Sequence, residues 1–582
     1  MLLDDQRQGG RAALHVDPIE RFEVRSAREV PAALDRLREN ATAGRWAAGY
    51  VGYEFGFGLE HRLLPLARSE DEPLLWLGLF DAPPMDVSAS AILPPPDAGW
   101  TGAARPLIDR AMHMARVAEA LEHIRAGDIY QANVSFQADV PTAGHPIAVY
   151  ASLRARAGAG HGALVFTGSR WVLSFSPELF FTLDGGRVTA RPMKGTAPRP
   201  AEPESDARAA RDLRTDPKQR AENLMIVDLL RNDLSRIARP GSVEVPALYE
   251  VESYPTVHQM TSTVTAQARQ DVSAADILRA TFPCGSITGV PKIRAMEIIA
   301  ALEGGPRGVY TGAIGSVAPD GTAAFNVAIR TLEMTGTGGV ARIGLGSGIV
   351  ADSDPAEEWD ECLTKGRFLV DERRFDLIET MRFDPSSGID NLDLHIARLK
   401  ASAEALGFRF DRHHARNELQ AATFHLALPR TLRMRLSRSG AIAIAGHAVP
   451  LAPADPVTVA VAPLPVHPGD FRLRHKTSDR AFYDDARAAS GTFETMFVDP
   501  DGFLTEGSFT NLFLRVGDTL VTPPLSRGLL PGVLRQRLLD EGRAVEGDLR
   551  TRDIADGFLI GNSLRGLIAA RLDDASVPGK GA

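Results

Sequence analysis

Gly344-Leu-Gly-Ser-Gly-Ile-Val-Ala-Asp-Ser-Asp-Pro-Ala-Glu-Glu-Trp-Asp-Glu-Cys-Leu-Thr-Lys365 joins a glycine-punctuated strand to a capped helix. Glycine alternates at 344, 346 and 348, so with the two-residue period of a strand one whole face lacks side chains. A ligand can approach such a backbone and accept hydrogen bonds from its N–H groups, which suits a carboxylate; purely structural glycines are the other reading. Asp354 and Pro355 supply an N-cap and a first helical residue. In the helix they start, Glu358, Glu361 and Lys365 are spaced i, i+3, i+7 and share one face. Taken alone, that spacing is equally an exposed ion-pair ladder.

Working outward, Asp216-Pro217 begins a second long helix that Arg239-Pro-Gly ends, with Glu222 in its second turn. Phe282-Pro-Cys-Gly-Ser-Ile-Thr-Gly-Val-Pro-Lys292 runs from a turn into a helix beginning near Pro291, and helix starts attract anions. Trp46-Ala-Ala-Gly-Tyr-Val-Gly-Tyr-Glu-Phe reads as a strand with close backbone approaches at its glycines. From Asp81 to Pro106 proline, alanine and glycine break every periodicity, which predicts an internal loop or linker. A new strand starts in Arg374-Phe-Asp-Leu-Ile-Glu-Thr-Met-Arg, behind a boundary near 366–376. The expected division is 1–105, 106–372 and 373–582, with mixed α and β structure and no fixed repeat.

The chain has 582 residues, more than one core usually organises, and the length alone favours about three or four domains. Hydrophobic residues at 44% and charged residues at 24% are ordinary for a globular enzyme. The net charge is −9 with no basic face, so nucleic acid is not an expected partner. Met1-Leu-Leu-Asp-Asp-Gln-Arg lacks the basic start of a secretory signal, and no apolar run of about 18 residues follows, so no membrane contact and a cytoplasmic location are expected. The two cysteines, Cys284 and Cys362, are too few for a disulfide framework or a four-cysteine zinc site and read as reduced thiols.

Six segments resemble, in order, those of chorismate-utilising enzymes: Gly127-Asp-Ile-Tyr-Gln, Ser176-Pro-Glu-Leu-Phe, Pro192-Met-Lys-Gly-Thr, the Glu222 helix, Gly285-Ser-Ile-Thr-Gly-Val-Pro-Lys, and Ile349 to Lys365. The resemblance implies that Glu222 and Glu361, with Glu358 close by, hold Mg2+, whose preference for a few hard oxygens they suit. It implies that a second carboxylate of chorismate rests on the Gly346 and Gly348 backbone with Arg330, Tyr310 and Lys365, and that Ser286 and His258 lie around the ring and its departing hydroxyl. Lys194 stands where aminodeoxychorismate synthases carry lysine and anthranilate synthases a small residue, which implies a covalent route through its amine. Glu178 would be the general acid for the leaving hydroxyl. Gln131 replaces the lysine with which isochorismate synthases activate water, so water is disfavoured as the nucleophile. Neither cysteine has the setting of a glutaminase nucleophile, so a separate glutamine amidotransferase subunit supplying ammonia is expected.

From about residue 374 onward, His395-Ile-Ala-Arg-Leu, Arg474-His-Lys-Thr-Ser-Asp-Arg, Leu504-Thr-Glu-Gly-Ser-Phe-Thr-Asn-Leu-Phe, Leu529-Leu-Pro-Gly-Val-Leu-Arg and Gly561-Asn-Ser-Leu-Arg-Gly-Leu resemble fold-type IV pyridoxal-phosphate enzymes, most closely aminodeoxychorismate lyase. Lys476 would then carry the cofactor, Glu506 would face its pyridine nitrogen, and Arg398, Gly532, Val533, Asn562 and Ser563 would bind its phosphate. Leu534 departs from the pattern, standing where relatives often place a threonine. The fold implied is a β-sandwich-like core wrapped by helices followed by a fold-type IV domain, here in a chain that would make 4-aminobenzoate for folate in two steps, with a homodimer through the rear domain. Anthranilate synthase at the front, and a transaminase or a silent docking module at the rear, are the competing readings.

Overall fold

Residues 1–573 are described by the computed structural model except 8–9, 68–71, 255–256, 337 and 454. They form two units: one comprises residues 1–93, 103–140 and 150–370, the other 94–102, 141–149 and 371–582.

The first unit is built on two large, mostly antiparallel sheets. One carries Gln131–Ala143 beside Gly339–Ile349, and the other places Met193–Pro198 beside Val257–Gln267. Tyr50, Trp76 and Ile314 of one sheet meet Ala163, Val165 and Val172 of the other in a shared core, as a sandwich requires. Helices cover both outer faces. Val30, Leu34 and Leu37 of Val30–Thr42, with Ile226 and Leu230 of Pro217–Ser235, pack on one side. Val117 and Leu121 of Arg110–Arg125, with Ile298 and Ile299 of Lys292–Glu303, pack on the other. Each apolar stripe follows the helical period, and its burial is what holds helix to sheet.

Local signals for these helices are obeyed. The Asp216 side chain accepts from Gln219 N at 2.9 Å, and Asp354 accepts from Ala356 N and Glu357 N at 2.9 and 3.1 Å. The helix bearing Glu222 stops at Ser235, short of Arg239-Pro-Gly, because Arg236 N and Ala238 N turn back onto the carbonyls of Asp233 and Leu234.

The second unit holds a four-stranded antiparallel sheet, centred on Leu377–Asp384 and Arg430–Leu436, and an eight-stranded mixed sheet. Helices Leu392–Ala405 and Arg412–Thr423 cover one face of the small sheet through Ile396, Leu399 and Leu419. Residues 94–102 belong here and correct the expectation of a loop or linker over 81–106. Trp100 is fully buried among Phe375, Phe408 and Phe471, and the strand Trp100–Thr101 pairs with Ala143 and Thr142. Proline and glycine erase periodicity, but a single indole can anchor a segment without any period at all. Among the described residues no helix is long and apolar enough to cross a membrane.

Candidate active sites

In the first unit the alternating glycines of Gly339–Ile349 make room for other side chains. A Cβ on Gly344 would overlap the Tyr310 ring, one on Gly346 would lie 3.0 Å from Tyr310 Oη, and one on Gly348 would overlap Lys194 Nζ and lie 3.1 Å from Gln131 Nε2. The empty strand face therefore brings the Lys194 amine, the Gln131 amide and the Tyr310 hydroxyl against its backbone. Gln131 is wholly buried and both of its amide atoms lack a hydrogen-bond partner, so it presents unused donors and acceptors beside Lys194.

Lys194 sits in an electrostatic field made by the other predicted residues. Burial pushes its amine below the ordinary lysine value, Lys365 adds to that, and Glu222, Glu361 and Glu178 oppose it. Glu222 is held above its ordinary value by burial and by Glu361 and Glu358, against Lys194 and Lys218. For Glu361 burial acts upward but Lys365, 2.7 Å away, wins and lowers it. Those two side chains keep 53% and 42% of their surface open, so their pair is screened and free to exchange partners with a ligand. Lys365 Nζ also donates to Gly346 O at 2.9 Å. Ser353 Oγ donates to Glu358 Oε1 at 2.6 Å, while Glu358 Oε2 is buried without a partner. Among the described residues no three His, Cys, Asp or Glu side chains converge as a ready metal cage. The orphaned Glu358 oxygen and the Glu222 and Glu361 carboxylates nevertheless fit a hard cation that keeps waters and substrate as further ligands.

Glu178 is buried and accepts from Ser286 Oγ at 2.7 Å. Burial pushes its carboxyl up to about 7, against the Ser286 hydrogen bond and the Lys194 charge. Such a group is substantially protonated at neutral pH and can donate a proton. Cys284 lies 3.3 Å from Ser286 Oγ, its thiol pushed up to about 12 by burial, which leaves it inert. Arg330 adopts φ 50°, and among the described residues its guanidinium has no hydrogen bond or ion pair, only the Phe368 ring at 6.0 Å. That is a cation without its anion.

His258 does not join this group. Its Nδ1 is 2.9 Å from Ser253 Oγ and its Nε2 2.7 Å from Asp206, so both ring nitrogens are committed to holding strand to helix. The catalytic role read for it from sequence is withdrawn. Asn223, by contrast, escaped the sequence reading: its Nδ2 donates to Lys194 O at 3.4 Å while its Oδ1 accepts from Ser262 Oγ at 2.6 Å, fixing the backbone that carries Lys194. Its adjacency to Glu222 was the available signal.

In the second unit a cavity of about 330 Å3 is lined by Lys476, Glu506, Arg398, Gly532, Val533, Asn562 and Ser563. Lys476 O accepts from Ile378 N at 2.9 Å, which pins the lysine to the small sheet. Burial, with Arg398, Arg480 and Arg433 nearby, pushes its amine down to about 7, against Glu379. Glu506 accepts from Tyr483 Oη at 2.7 Å and Leu530 N at 3.0 Å, yet burial pushes it up to about 8.

Arg398 gives Nε and Nη2 to Glu379 at 2.8 and 2.6 Å, and His395 Nδ1 lies 2.7 Å from the same carboxylate. His395 Nε2 is 3.0 Å from Ser563 Oγ. Glu379 thus fixes the predicted phosphate ligand Arg398 directly and reaches a second one, Ser563, through His395; burial would raise its carboxyl, but Arg398 and His395 outweigh that and hold it far below the usual range. A lone carboxylate in the apolar run Leu377-Ile-Glu-Thr-Met was the sequence signal for it. Asn562 lines the cavity while its side chain is occupied in the turn: Oδ1 accepts from Leu564 N and Arg565 N, and Nδ2 donates to Phe509 O, which presents Ser563. Leu534 points into a core with Phe513 and Leu538. Gly532 caps the helix Val533–Asp540, and a Cβ there would overlap Asn511 Oδ1. A buried carboxylate, an amine of lowered pKa and a helix start closed by Ser563 and Arg398 are a donor set that fits pyridoxal phosphate.

Comparison with known proteins matches each unit to a known family. The family of chorismate binding enzymes matches residues 1–371, nearly two thirds of the chain. The chain belongs to that family. The amino-transferase class IV family matches residues 376–572 of this chorismate binding enzyme, so it fuses the two. It is 42% identical over 322 residues to aminodeoxychorismate synthase of Streptomyces griseus, covering 54% of this chain and 44% of that one. It is 44% identical over 273 residues to anthranilate synthase component 1 of Streptomyces coelicolor, covering 47% and 52%. The chain thus spans about half the length of these relatives. The solved anthranilate synthase component I of Streptococcus pneumoniae superposes with a TM-score of 0.53 at 27% identity, over 61% of this chain and 91% of that one. The fold expected from sequence, a helix-wrapped sandwich followed by a class IV domain, is the fold observed.

Proposed function

We propose that this enzyme aminates chorismate to 4-amino-4-deoxychorismate in its first unit and eliminates pyruvate to give 4-aminobenzoate in its second. The observation that carries the reading is the Lys194 amine, lowered by burial, lying against Gly348 within the field of Glu178, Glu222 and Glu361. Mg2+ held by Glu222 and Glu361, with Glu358, would neutralise one substrate carboxylate. Arg330, with Tyr310 and the Gly346–Gly348 backbone, receives the other carboxylate. Neutral Lys194 adds to ring C2 as the C4 hydroxyl departs with the Glu178 proton; ammonia then adds at C4 and expels the lysine, so one water leaves for each ammonia gained. Ammonia comes from a separate glutamine amidotransferase subunit, and the enzyme works in the cytoplasm.

At the rear, bound pyridoxal phosphate would supply an electron-accepting ring. Glu506 holds a proton toward the ring nitrogen, Lys476 moves the proton that elimination requires, and Arg398 with Ser563 and the Gly532–Val533 backbone anchors the phosphate end.

Product analysis tests the proposal: chorismate, Mg2+ and ammonium salts give the para-amino compound and then 4-aminobenzoate. Formation of 2-aminobenzoate would instead assign the front unit to anthranilate synthesis, and a rear unit that exchanges amino groups without releasing pyruvate would be a transaminase. Two variants sharpen it. Glu178→Gln should lower front kcat by about 10^2- to 10^4-fold. It should also erase the fall in rate that the wild type shows as pH rises through about 7, where the Glu178 carboxyl ionises. Glu379→Gln leaves Arg398 and His395 without their shared anion and should weaken pyridoxal phosphate binding by about 10- to 100-fold, read by absorbance titration.

A further inference from the structure

The rear cavity is far more cationic than its cofactor requires. Six arginines and Lys476 line it against two acidic side chains, Asp484 and Glu506. Most of the arginines are already engaged. Arg398 is held by Glu379, Arg472 by Asp470, and Arg487 by Asp484. Arg565 donates to Leu451 O and lies over the Phe493 ring.

Arg433 and Arg480 differ. Arg433 stands on the strand Arg430–Leu436 opposite Thr380, which also lines the cavity. Leu432, Met434 and Leu436 fill the core on the other face of that strand, and Arg435, on the Arg433 side, is bound to Asp376. Among the described residues Arg433 has no hydrogen bond and no ion pair. Arg480 precedes the helix Ala481–Ser490, donates to Ser508 O, and lies over the Tyr483 ring at 5.4 Å; among the described residues it has no carboxylate partner. The two guanidiniums come from different elements, and the charge of each is felt at the Lys476 amine. The phosphate end of the cavity has its own donors, so neither arginine is needed there.

We propose that Arg433 and Arg480 select a substrate bearing two carboxylates and one primary amine, each guanidinium taking one carboxylate so that the amine reaches Lys476. One carboxylate would leave one guanidinium near Lys476 without an ionic partner, solvent-facing in the case of Arg433, and two carboxylates complete the charge balance with planar, bidentate pairing. This rests on the reading of the rear unit as a pyridoxal-phosphate site.

The test is calorimetric titration of the full chain, loaded with pyridoxal phosphate, with isophthalate and with benzoate, in the wild type, Arg433→Gln and Arg480→Gln. Any binding in the first unit is common to all three proteins and cancels in the differences. Each variant should weaken a dicarboxylate component by about 10- to 100-fold, leave benzoate within about threefold, and keep the melting temperature. Arg433→Lys should restore part of the isophthalate affinity. Identical isophthalate titrations in the three proteins, or equal losses for both probes, overturn the proposal. 4-Aminobenzoate release is scored in parallel: selectivity lost in the variants of a chain that releases none supports the arginine pair and rejects the lyase reading, whereas release with unaltered selectivity does the reverse.

Discussion

Lys194→Ala should abolish amination of chorismate, with front kcat falling by about 10^4-fold or more, because in the proposed reaction the Lys194 amine supplies the covalent step. The residual protein should still bind chorismate, since the carboxylate cluster and Arg330 are untouched. A structural lysine would behave differently: its loss would lower the melting temperature and raise KM with kcat preserved. The sign of the pH dependence follows from the same residue. Its amine is lowered by burial, so the neutral fraction, and with it the rate, rises at lower pH than for an ordinary lysine, until the Glu178 carboxyl ionises near 7 and the rate declines. The profile of front kcat should therefore be bell-shaped.

Lys476→Ala should eliminate the second step to a comparable extent while leaving the first intact, so that 4-amino-4-deoxychorismate accumulates instead of 4-aminobenzoate. Borohydride reduction should fix a pyridoxyl group on the wild type at Lys476 and on the variant nowhere. With its amine pushed down to about 7, Lys476 should capture added cofactor at a rate that levels off above about pH 8, where an ordinary lysine would still be gaining up to about 10.4. A rear unit that neither labels nor releases pyruvate would be a docking module.

Much of the front site could be read in the chain because its signals are local. Asp354 and Asp216 cap the helices they were expected to cap, and the alternate glycines at 344, 346 and 348 lie on one strand. What sequence cannot convey is who fills the face those glycines leave bare. Tyr310, Lys194 and Gln131 arrive from separate strands and loops, and only the register of two sheets brings them there. His258 shows the limit from the other side, since a histidine in a matching segment was assigned to chemistry although Asp206, 52 positions away, takes its Nε2. Asn562, expected at the phosphate end, does line the cavity, but the turn its side chain closes is set by Phe509, 53 positions away, which no local signal announces. Trp100 was hidden in a stretch whose prolines suggested a linker, because burial of one large ring leaves no periodic trace. Arg433 and Arg480 are unremarkable in a chain with many arginines; their interest arises only from the carboxylates their neighbours have and they lack.

In the proposed reaction one amine acts as nucleophile toward a ring held by its carboxylates. Incubating the full chain with chorismate and Mg2+ in the absence of ammonia, quenching with acid and mapping peptides by mass spectrometry reads this directly. The expected result is a single adduct on Lys194 with the mass of chorismate less one water, discharged when ammonium is added before the quench. An unmodified Lys194 in a preparation that still forms the para-amino product from ammonium would contradict it.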